Sequence, residues 1–215
     1  MELTVLVVTY NRKGILSRTL NSIKEHLLPD NIVVADDGST DGTQDMLKTW
    51  YPDVILVQSD RLRLGGNSNA GLRVAFELTD VVLHTQDDYF LTGDTGVREH
   101  IKTLEEDENC GWIRIGHSFN HDFIATLHGE YWRVSWDSPG LYIASDQPHL
   151  KHRRFHDTYG WYPEGLPVGN TENSWCGRVK AEGQQKKSPQ VYVPLYFKNK
   201  WLHLDDGHSF NLNGL

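Results

Sequence analysis

The regular alternation of short apolar runs and helical patterns over the first ninety residues most constrains the fold of this chain. Four runs rich in β-branched residues predict strands at residues 3–9, 31–37, 53–59 and 80–86. The intervening stretches predict helices at 12–28, 41–51 and 67–78, the last with Asn67 as its N-cap. Such alternation is typical of an α/β protein with a parallel sheet and helices on its faces.

The second half of the sequence is less regular. Strands are predicted at residues 111–117, 122–128, 130–136, 140–145 and 190–197, some of them antiparallel. A helix is predicted at 171–183, where Thr171 can act as N-cap and Gly183 as the stop. The change in character near residue 93 indicates two lobes of one domain, residues 1–92 and 93–215.

Composition narrows the class of protein. The chain of 215 residues carries a net charge of −8, which disfavours nucleic acid as a partner without excluding it. Its two cysteines, Cys110 and Cys176, fit a reducing compartment better than a disulfide framework. The N-terminal segment does not read as a signal peptide, and no apolar run reaches the ~18 residues that span a bilayer. We therefore expect a soluble, cytoplasmic protein with no integral membrane segment.

Acidic pairs follow two of the predicted strands at the point where each strand ends. Asp36 and Asp37 end the second strand, and Asp87 and Asp88 follow the fourth. Because ligands of parallel sheets bind beyond the carboxyl ends of the strands, we expect these acids to converge. The first pair can accept hydrogen bonds from a base or ribose, and the second has the oxygen ligands of Mg²⁺ or Mn²⁺. Solvated turn acids would explain a single Asp-Asp pair equally well.

Four motifs, “TYN”, “DDGSTDGT”, “GGNSNAGLRVA” and “TQDDY”, resemble those of family-2-type glycosyltransferases of the GT-A fold in order and spacing. The resemblance is strongest over residues 4–90. It continues more weakly over 155–183, which looks like the family's Gly-aromatic loop and its Glu-Asp acceptor-site helix. It implies one GT-A catalytic domain over 1–215, a Rossmann-like, mostly parallel sheet flanked by helices, with a smaller mixed acceptor-side lobe. The nucleotide-sugar would bind to 1–92 and the acceptor to 93–215.

The resemblance also implies which residues bind the donor and a metal. Asp37 matches the acid that contacts the base, and Asp88 matches the family's Asp-x-Asp metal motif, whose first acid is Gln86 here. His203 stands about where the family places a late metal-binding or pyrophosphate-binding histidine, with His208 as the alternative. The full set of donor-binding matches is Thr9, Tyr10, Asn11, Asp36, Asp37, Gly66, Asn69, Gln86 and Asp87.

By the same resemblance, Glu172 matches the general base. Asn173 stands where the family often has Asp, which would leave Glu172 as the sole carboxylate at that corner. An acid in the first helical turn is favoured in its ionised form by the helix dipole, as a base must be. An ordinary helix N-terminal acid is the alternative, and the residues alone favour it.

Two further features carry weaker indications. The basic cluster at residues 148–156 indicates a solvated helix face, with attraction to a donor or acceptor phosphate as the alternative. Among the aromatic residues of the second half, Trp161 in a Gly-aromatic loop is the best candidate for stacking on a sugar, while most of the others are expected in the core.

Together these features predict an inverting, metal-dependent glycosyltransferase. It would move one sugar from a nucleotide-sugar, with UDP favoured, to an acceptor hydroxyl of unknown identity, and Mn²⁺ or Mg²⁺ would be its cofactor. The absence of a Gln-x-x-Arg-Trp motif disfavours processive synthesis. A nucleotidyltransferase of related fold is one alternative, although “TYNRKG” lacks its Gly-rich phosphate loop. A degenerate sugar- or nucleotide-binding protein is another, which Gln86 and Asn173 keep open.

Overall fold

The computed structural model describes residues 1–116, 123–195, 201–205 and 208–209. The helices are α1 (Lys13–His26), α2 (Thr43–Trp50), α3 (Arg63–Leu78), α4 (Val97–Glu106), α5 (Arg153–Tyr159) and α6 (Val168–Lys186). The strands are β1 (Thr4–Thr9), β2 (Asn31–Asp36), β3 (Ile55–Gln58), β4 (Val81–Gln86), β5 (Tyr89–Leu91), β6 (Cys110–Arg114), β7 (Ala125–His128), β8 (Tyr131–Val134), β9 (His149–His152), β10 (Gln190–Pro194), β11 (Trp201–Asp205) and β12 (His208–Ser209).

Nine of the strands form one sheet in the order β3-β2-β1-β4-β9-β6-β10-β8-β7. The first four are mutually parallel. Strand β9 then runs antiparallel to both β4 and β6, β6 is parallel to β10, and β8 and β7 close the far edge in antiparallel pairs. The predicted fold class, a mostly parallel sheet with a mixed second lobe, is confirmed. The boundary between donor and acceptor halves at residues 92 and 93 stays a prediction.

Helices cover both faces of the large sheet, so its central strands are buried on both sides. Val5 and Val7 of β1 pack toward α1, α2 and α4. Leu6 and Val8 point the other way, toward α3, α5 and α6. This burial explains why the parallel strands read as continuous apolar runs. At Gly71, helix α3 approaches β1 so closely that an added Cβ would lie 2.5 Å from Leu6 Cδ1.

The predictions for the first half are confirmed within a few residues, except at the start of the third helix. Helix α3 begins at Arg63, so Asn67 lies inside the helix and is not its N-cap. Its amide instead donates to the Ala35 carbonyl over 2.8 Å and ties α3 to the end of β2. Tertiary contact therefore overrides the capping preference of this asparagine.

In the second half, three predictions are wrong. Residues 140–145 form turns and no strand. Helix α6 starts after Pro167, which places Thr171 inside the helix. The helix also continues past Gly183 to a left-handed C-cap at Lys187, whose N–H donates to the Gly183 carbonyl. Helix α4 was not predicted. No helix in the described ranges is long and apolar enough to cross a membrane.

The basic cluster is only partly the solvated helix face that was predicted, since Arg153 is exposed on α5 while other members are buried. His149 and Lys151 lie in β9 and His156 lies in α5, and all three side chains are buried. Trp161 is partly buried, and its ring stacks on His156 at a centroid distance of 5.0 Å and at an angle of 21°. The expected contact of Trp161 with a sugar stays a prediction.

Candidate functional site

A pocket of about 590 Å³ lies at the carboxyl ends of β1, β2 and β4, where the sequence predicts a ligand site. Its volume is within the range that binds small molecules and cofactors. The wall is formed by the strand ends, the start of α3 and the start of α6. The lining residues are Val8, Thr9, Tyr10, Arg12, Asp37, Arg61, Arg63, Leu64, Asn67, Gln86, Asp87, Asp88, Pro167, Val168 and His203.

Asp37 organises the wall that leads into α3. Its two carboxylate oxygens accept the backbone N–H groups of Leu62 at 2.6 Å and Arg63 at 2.9 Å. Burial raises the pKa of Asp37, and the two N–H groups act against that rise. Arg61 and Arg63 adopt left-handed backbone angles, φ 59° and 62°. The carboxylate thus stabilises a strained turn that carries two arginines into the pocket.

Asp87 and Asp88 follow β4, which is separated by β1 from the strand that precedes Asp37, and both are nearly inaccessible to solvent. Asp87 accepts the hydroxyl of Thr9 over 2.6 Å. Arg12 bridges the pair, with Nη1 at 2.8 Å from Asp88 Oδ2 and 3.4 Å from Asp87 Oδ1. Burial raises the pKa of Asp87 to about 7, and the neighbouring Asp88 adds to the rise. Arg12 offsets part of the repulsion between the two carboxylates.

One corner of the pocket has the donors expected of a divalent-cation site. Strand β11 pairs with β5 and brings His203 Nε2 to 3.3 Å from Asp88 Oδ2. Asp88 Oδ1 is buried and has no hydrogen-bond partner in the described part of the chain. The same ranges contain no group of three or more His, Cys, Asp or Glu side chains placed to hold a metal. Asp88 and His203 therefore fit a cation that takes its remaining ligands from phosphate and water. The side chain of His208 lies outside the described atoms.

The pocket gathers seven of the residues predicted from the sequence: Thr9, Tyr10, Asp37, Gln86, Asp87, Asp88 and His203. Asp36, which precedes Asp37 in the chain, is fully buried and is not among the residues that line the pocket. It accepts the backbone N–H and the hydroxyl of Ser39, and Gln44 Nε2 at 2.9 Å. These bonds support the turn after β2. The predicted donor-binding roles of all these residues stay predictions.

Three further predicted donor-binding residues, Asn11, Gly66 and Asn69, lie beside the pocket without lining it. The Asn11 amide oxygen accepts the Thr40 N–H over 2.7 Å. Asn69 is buried and exchanges two hydrogen bonds with the backbone of Tyr162, at 3.0 and 3.1 Å. An added Cβ at Gly66 would lie 2.8 Å from Leu62 Cβ. These contacts give each of the three a structural role.

Sequence reasoning missed four polar residues of the pocket: Arg12, Arg61, Arg63 and Asn67. The guanidinium of Arg61 lies 4.1 Å above the Tyr10 ring. Two arginines shortly before the Gly-Gly pair of “RLRLGG” were the available signal. Buried Asn67 Oδ1 has no partner in the described ranges and lines the pocket, so it can accept a hydrogen bond from a ligand.

Glu172 lies in the second turn of α6, and not in the first turn as predicted. The helix-dipole argument for its ionisation is therefore wrong, because that effect falls off within the first turn. Its Oε1 accepts the Ser145 hydroxyl at 3.0 Å and the Asp146 N–H at 3.2 Å. Pro167 and Val168, about one turn earlier in the chain, line the pocket. Glu172 consequently stands close to the pocket rim.

Glu172 is also not the sole carboxylate at this corner. Asp146 is buried close to Glu172 and to the hydroxyl of Tyr162. Burial raises the pKa of Asp146 to about 6; the charge of Glu172 adds to the rise and buried Lys151 acts against it. The second acid lies between residues 140–145, which were predicted as a strand, and the start of β9.

The chain resembles proteins of known family and known structure. Residues 4–160 match the model of Glycosyl transferase family 2. The uncharacterized glycosyltransferase YfnE of Bacillus subtilis is 31% identical over 140 residues, which are 60% of this chain and 35% of that relative. The chain thus spans about a third of the length of YfnE.

Solved structures show the same fold at lower identity. S. aureus TarS 1–349 in complex with UDP-GlcNAc has a TM-score of 0.64 at 17% identity, over 94% of this chain and 57% of that one. GalNAc-T7 with UDP, GalNAc and Mn²⁺ has a TM-score of 0.64 at 14% identity, over 91% and 42%. These likenesses confirm the GT-A fold. Because the matching family model covers well over half of its residues, this chain belongs to glycosyl transferase family 2.

Proposed function

We propose that the protein transfers one sugar from a nucleotide-sugar, with UDP favoured, to an acceptor hydroxyl, with inversion at the anomeric carbon. The observation that carries this proposal is the single pocket in which Asp37, the Asp87–Asp88 pair and three arginines converge, with Glu172 beside its rim. A base-contacting acid, phosphate-binding cations and a carboxylate base are the groups that sugar transfer from a nucleoside diphosphate requires.

The donor would lie across the strand ends. Asp37 would accept a hydrogen bond from the base, and the stacked Tyr10 and Arg61 would border it. Arg63 and Arg12 would attract the diphosphate, since guanidinium groups match phosphate oxygens in charge and geometry. The structure of TarS with UDP-GlcNAc and that of GalNAc-T7 with UDP support UDP as the nucleotide.

Asp88 and His203 would hold the cation, Mn²⁺ or Mg²⁺. The imidazole ligand favours Mn²⁺, because Mg²⁺ prefers oxygen ligands, and GalNAc-T7 was solved with Mn²⁺. When bound, the cation would neutralise charge on the diphosphate and stabilise it as a leaving group. Arg12, already bonded to both carboxylates, would keep their charge balanced before the ion binds.

Glu172 would act as the general base. Its Oε1 is held by Ser145 and Asp146, which leaves Oε2 to receive the proton of the acceptor hydroxyl. The acceptor oxygen would form its bond to the anomeric carbon as the bond to the diphosphate breaks on the opposite face. Direct attack from that face inverts the configuration.

The test is the melting temperature of the purified protein against a panel of nucleoside diphosphates and nucleotide-sugars, with and without Mn²⁺. A ligand that binds only the native state raises the melting temperature by mass action. We expect a shift for UDP compounds that Mn²⁺ enlarges and that Asp88→Asn loses. Glu172→Gln should keep the shift and abolish transfer. No shift with any nucleotide would refute the proposal.

A further inference from the structure

Residues 140–146 form a loop, here called the 140–146 loop, that is fastened to α6 beside Glu172. The Tyr142 hydroxyl donates to Asn173 Oδ1 over 2.6 Å, and the Ser145 hydroxyl donates to Glu172 over 3.0 Å. From below, Cys176 Sγ donates to the Ala144 carbonyl over 3.4 Å. These bonds fix the position of Tyr142 in the loop relative to Glu172 in α6.

Along α6, Glu172 is the only charged residue between Val168 at the pocket rim and Asn173, which contacts Tyr142. Arg114, which is buried, donates to the Tyr142 carbonyl over 2.9 Å. The Tyr142 side chain is 42% exposed and its neighbour Leu141 is 37% exposed. From Gly165 to Gly177 the sequence contains no charged residue except Glu172. In a chain with 23% charged residues, an exposed neutral strip with one carboxylate is a distinctive surface.

Within the basic cluster at residues 148–156, Lys151, Arg153 and Arg154 are engaged away from Tyr142. Lys151 is buried, and its ammonium donates to the Tyr162 hydroxyl over 2.9 Å. Arg154 donates to the carbonyls of Asp107 and Cys110, each at 3.0 Å. Arg153 pairs with Asp80 at 3.0 Å. The two arginines are thus tied to the opposite end of the sheet from Glu172.

We propose that Tyr142 and Asn173 form an acceptor subsite for an uncharged sugar, next to Glu172. The proposal rests on the proposed function and names the substrate class for its acceptor. The flat Tyr142 ring offers an apolar face to the C–H face of a sugar. Its hydroxyl occupies Asn173 Oδ1, so the amide Nδ2 is turned to donate to a sugar hydroxyl. Glu172, the next residue back along α6, then receives the proton of the hydroxyl that is glycosylated.

The experiment is saturation-transfer NMR on the protein loaded with UDP and Mn²⁺. The probes are methyl glycosides of glucose, galactose, mannose and N-acetylglucosamine, and the matching sugar 6-phosphates. We expect saturation of at least one methyl glycoside and weaker saturation of its phosphate. Tyr142→Ala should weaken glycoside binding about 10-fold. Tyr142→Phe keeps the ring and should weaken glycoside binding only about 3-fold.

Trp50→Ala is the matched control, because Trp50 is 65% exposed on α2 at the other face of the sheet. It should bind the glycosides as the wild type does. Equal binding by Tyr142→Ala, preference for the phosphates, or no glycoside saturation in the wild type would each overturn the subsite. The melting shift with UDP, recorded on the same samples, separates the two proposals: its absence refutes the donor function, and its presence without glycoside binding refutes the subsite alone.

Discussion

The Ser145 hydroxyl donates a 3.0 Å hydrogen bond to Glu172 Oε1, across 27 residues of sequence. The bond joins the 140–146 loop to the second turn of α6, and the Asp146 N–H supports the same oxygen from 3.2 Å. Two donors on one oxygen fix the rotation of a carboxylate that would otherwise turn freely. Ser145 is therefore a positioning residue for the proposed base.

Replacing Ser145 by alanine should lower kcat about 5- to 10-fold, because the loss of one orienting hydrogen bond costs about 1 kcal/mol in the reacting geometry. The KM for the donor and the melting shift with UDP should not change. Ser145→Thr keeps the hydroxyl and should restore most of kcat. An unchanged kcat in Ser145→Ala, or a loss that threonine does not restore, would contradict this role.

Substitution of the two adjacent acids should show that Asp36 stabilises the fold and that Asp37 binds the nucleotide. Asp36→Asn removes the charged acceptor for Ser39 and Gln44, and should cost about 1–3 kcal/mol of unfolding free energy with UDP affinity nearly unchanged. Asp37→Asn should weaken UDP binding at least 10-fold, through the base contact and the loosened turn at Leu62. Urea unfolding and calorimetric titration measure the two effects. The reverse pattern would reassign the donor contact to Asp36.

The parallel half of the fold could be predicted from the sequence because each buried strand is a continuous apolar run followed by a helical repeat. The 140–146 loop could not be. Ile143 and Ala144 are apolar and look like part of a strand, yet they are buried by packing against the α3–α6 side of the sheet, without strand pairing. Apolar periodicity reports burial and does not report which partner buries a residue.

The candidate site shows the same division. Asp37, Asp87 and Asp88 could be predicted, since they are acids at the ends of apolar strands. Asp146 and Arg61 could not, because their places depend on contacts between distant segments. Lys151 is the clearest case: a lysine in a basic cluster reads as exposed, but its ammonium lies 4.7 Å from the Trp112 ring centroid, beneath α6.

A pair of glycines tests how tightly α3 packs on the sheet. Gly71→Ala should destabilise the protein by about 1–3 kcal/mol, because its Cβ would lie 2.5 Å from Leu6 Cδ1 and 2.9 Å from Ala35 Cβ. Gly14→Ala on α1 is the control: it meets no atom within 4 Å and should be neutral or stabilising by up to about 1 kcal/mol. Urea unfolding of both variants measures the difference. Equal stabilities would show that α3 can move away from β1.

The free energy of unfolding should fall in mild acid because three histidines are buried in the neutral form. Burial lowers the pKa of His84, His149 and His156 well below the usual value of 6.5. The unfolded chain therefore binds more protons than the native state below pH 6.5, and stability falls as pH falls. Each histidine contributes up to about 1.4 kcal/mol per pH unit.

Three buried carboxyl groups oppose this trend. Burial raises the pKa of Asp146 to about 6, so this acid favours the native state as pH falls from 6 toward 4 and opposes the histidines. Burial raises the pKa of Asp87 to about 7, so this acid opposes the histidines as pH falls from 7.5 to 5.5. Burial also raises the pKa of Asp37, which acts in the same direction. Because the three histidines each take up a proton on unfolding over this whole range, the free energy of unfolding in urea should still be lower at pH 5.5 than at pH 7.5. A flat or rising profile toward pH 5.5 would contradict this assignment.

His84→Leu isolates one part of that effect. Both ring nitrogens of His84 are buried without a hydrogen-bond partner in the described part of the chain, so leucine removes polar atoms that gain nothing there. The variant should be at least as stable as the wild type at pH 7.5. Its loss of stability toward pH 5.5 should be shallower by up to about 1.4 kcal/mol per pH unit, since one proton uptake is gone. The same slope in variant and wild type would show that His84 is not protonated on unfolding, and would leave the acid sensitivity to His149 and His156.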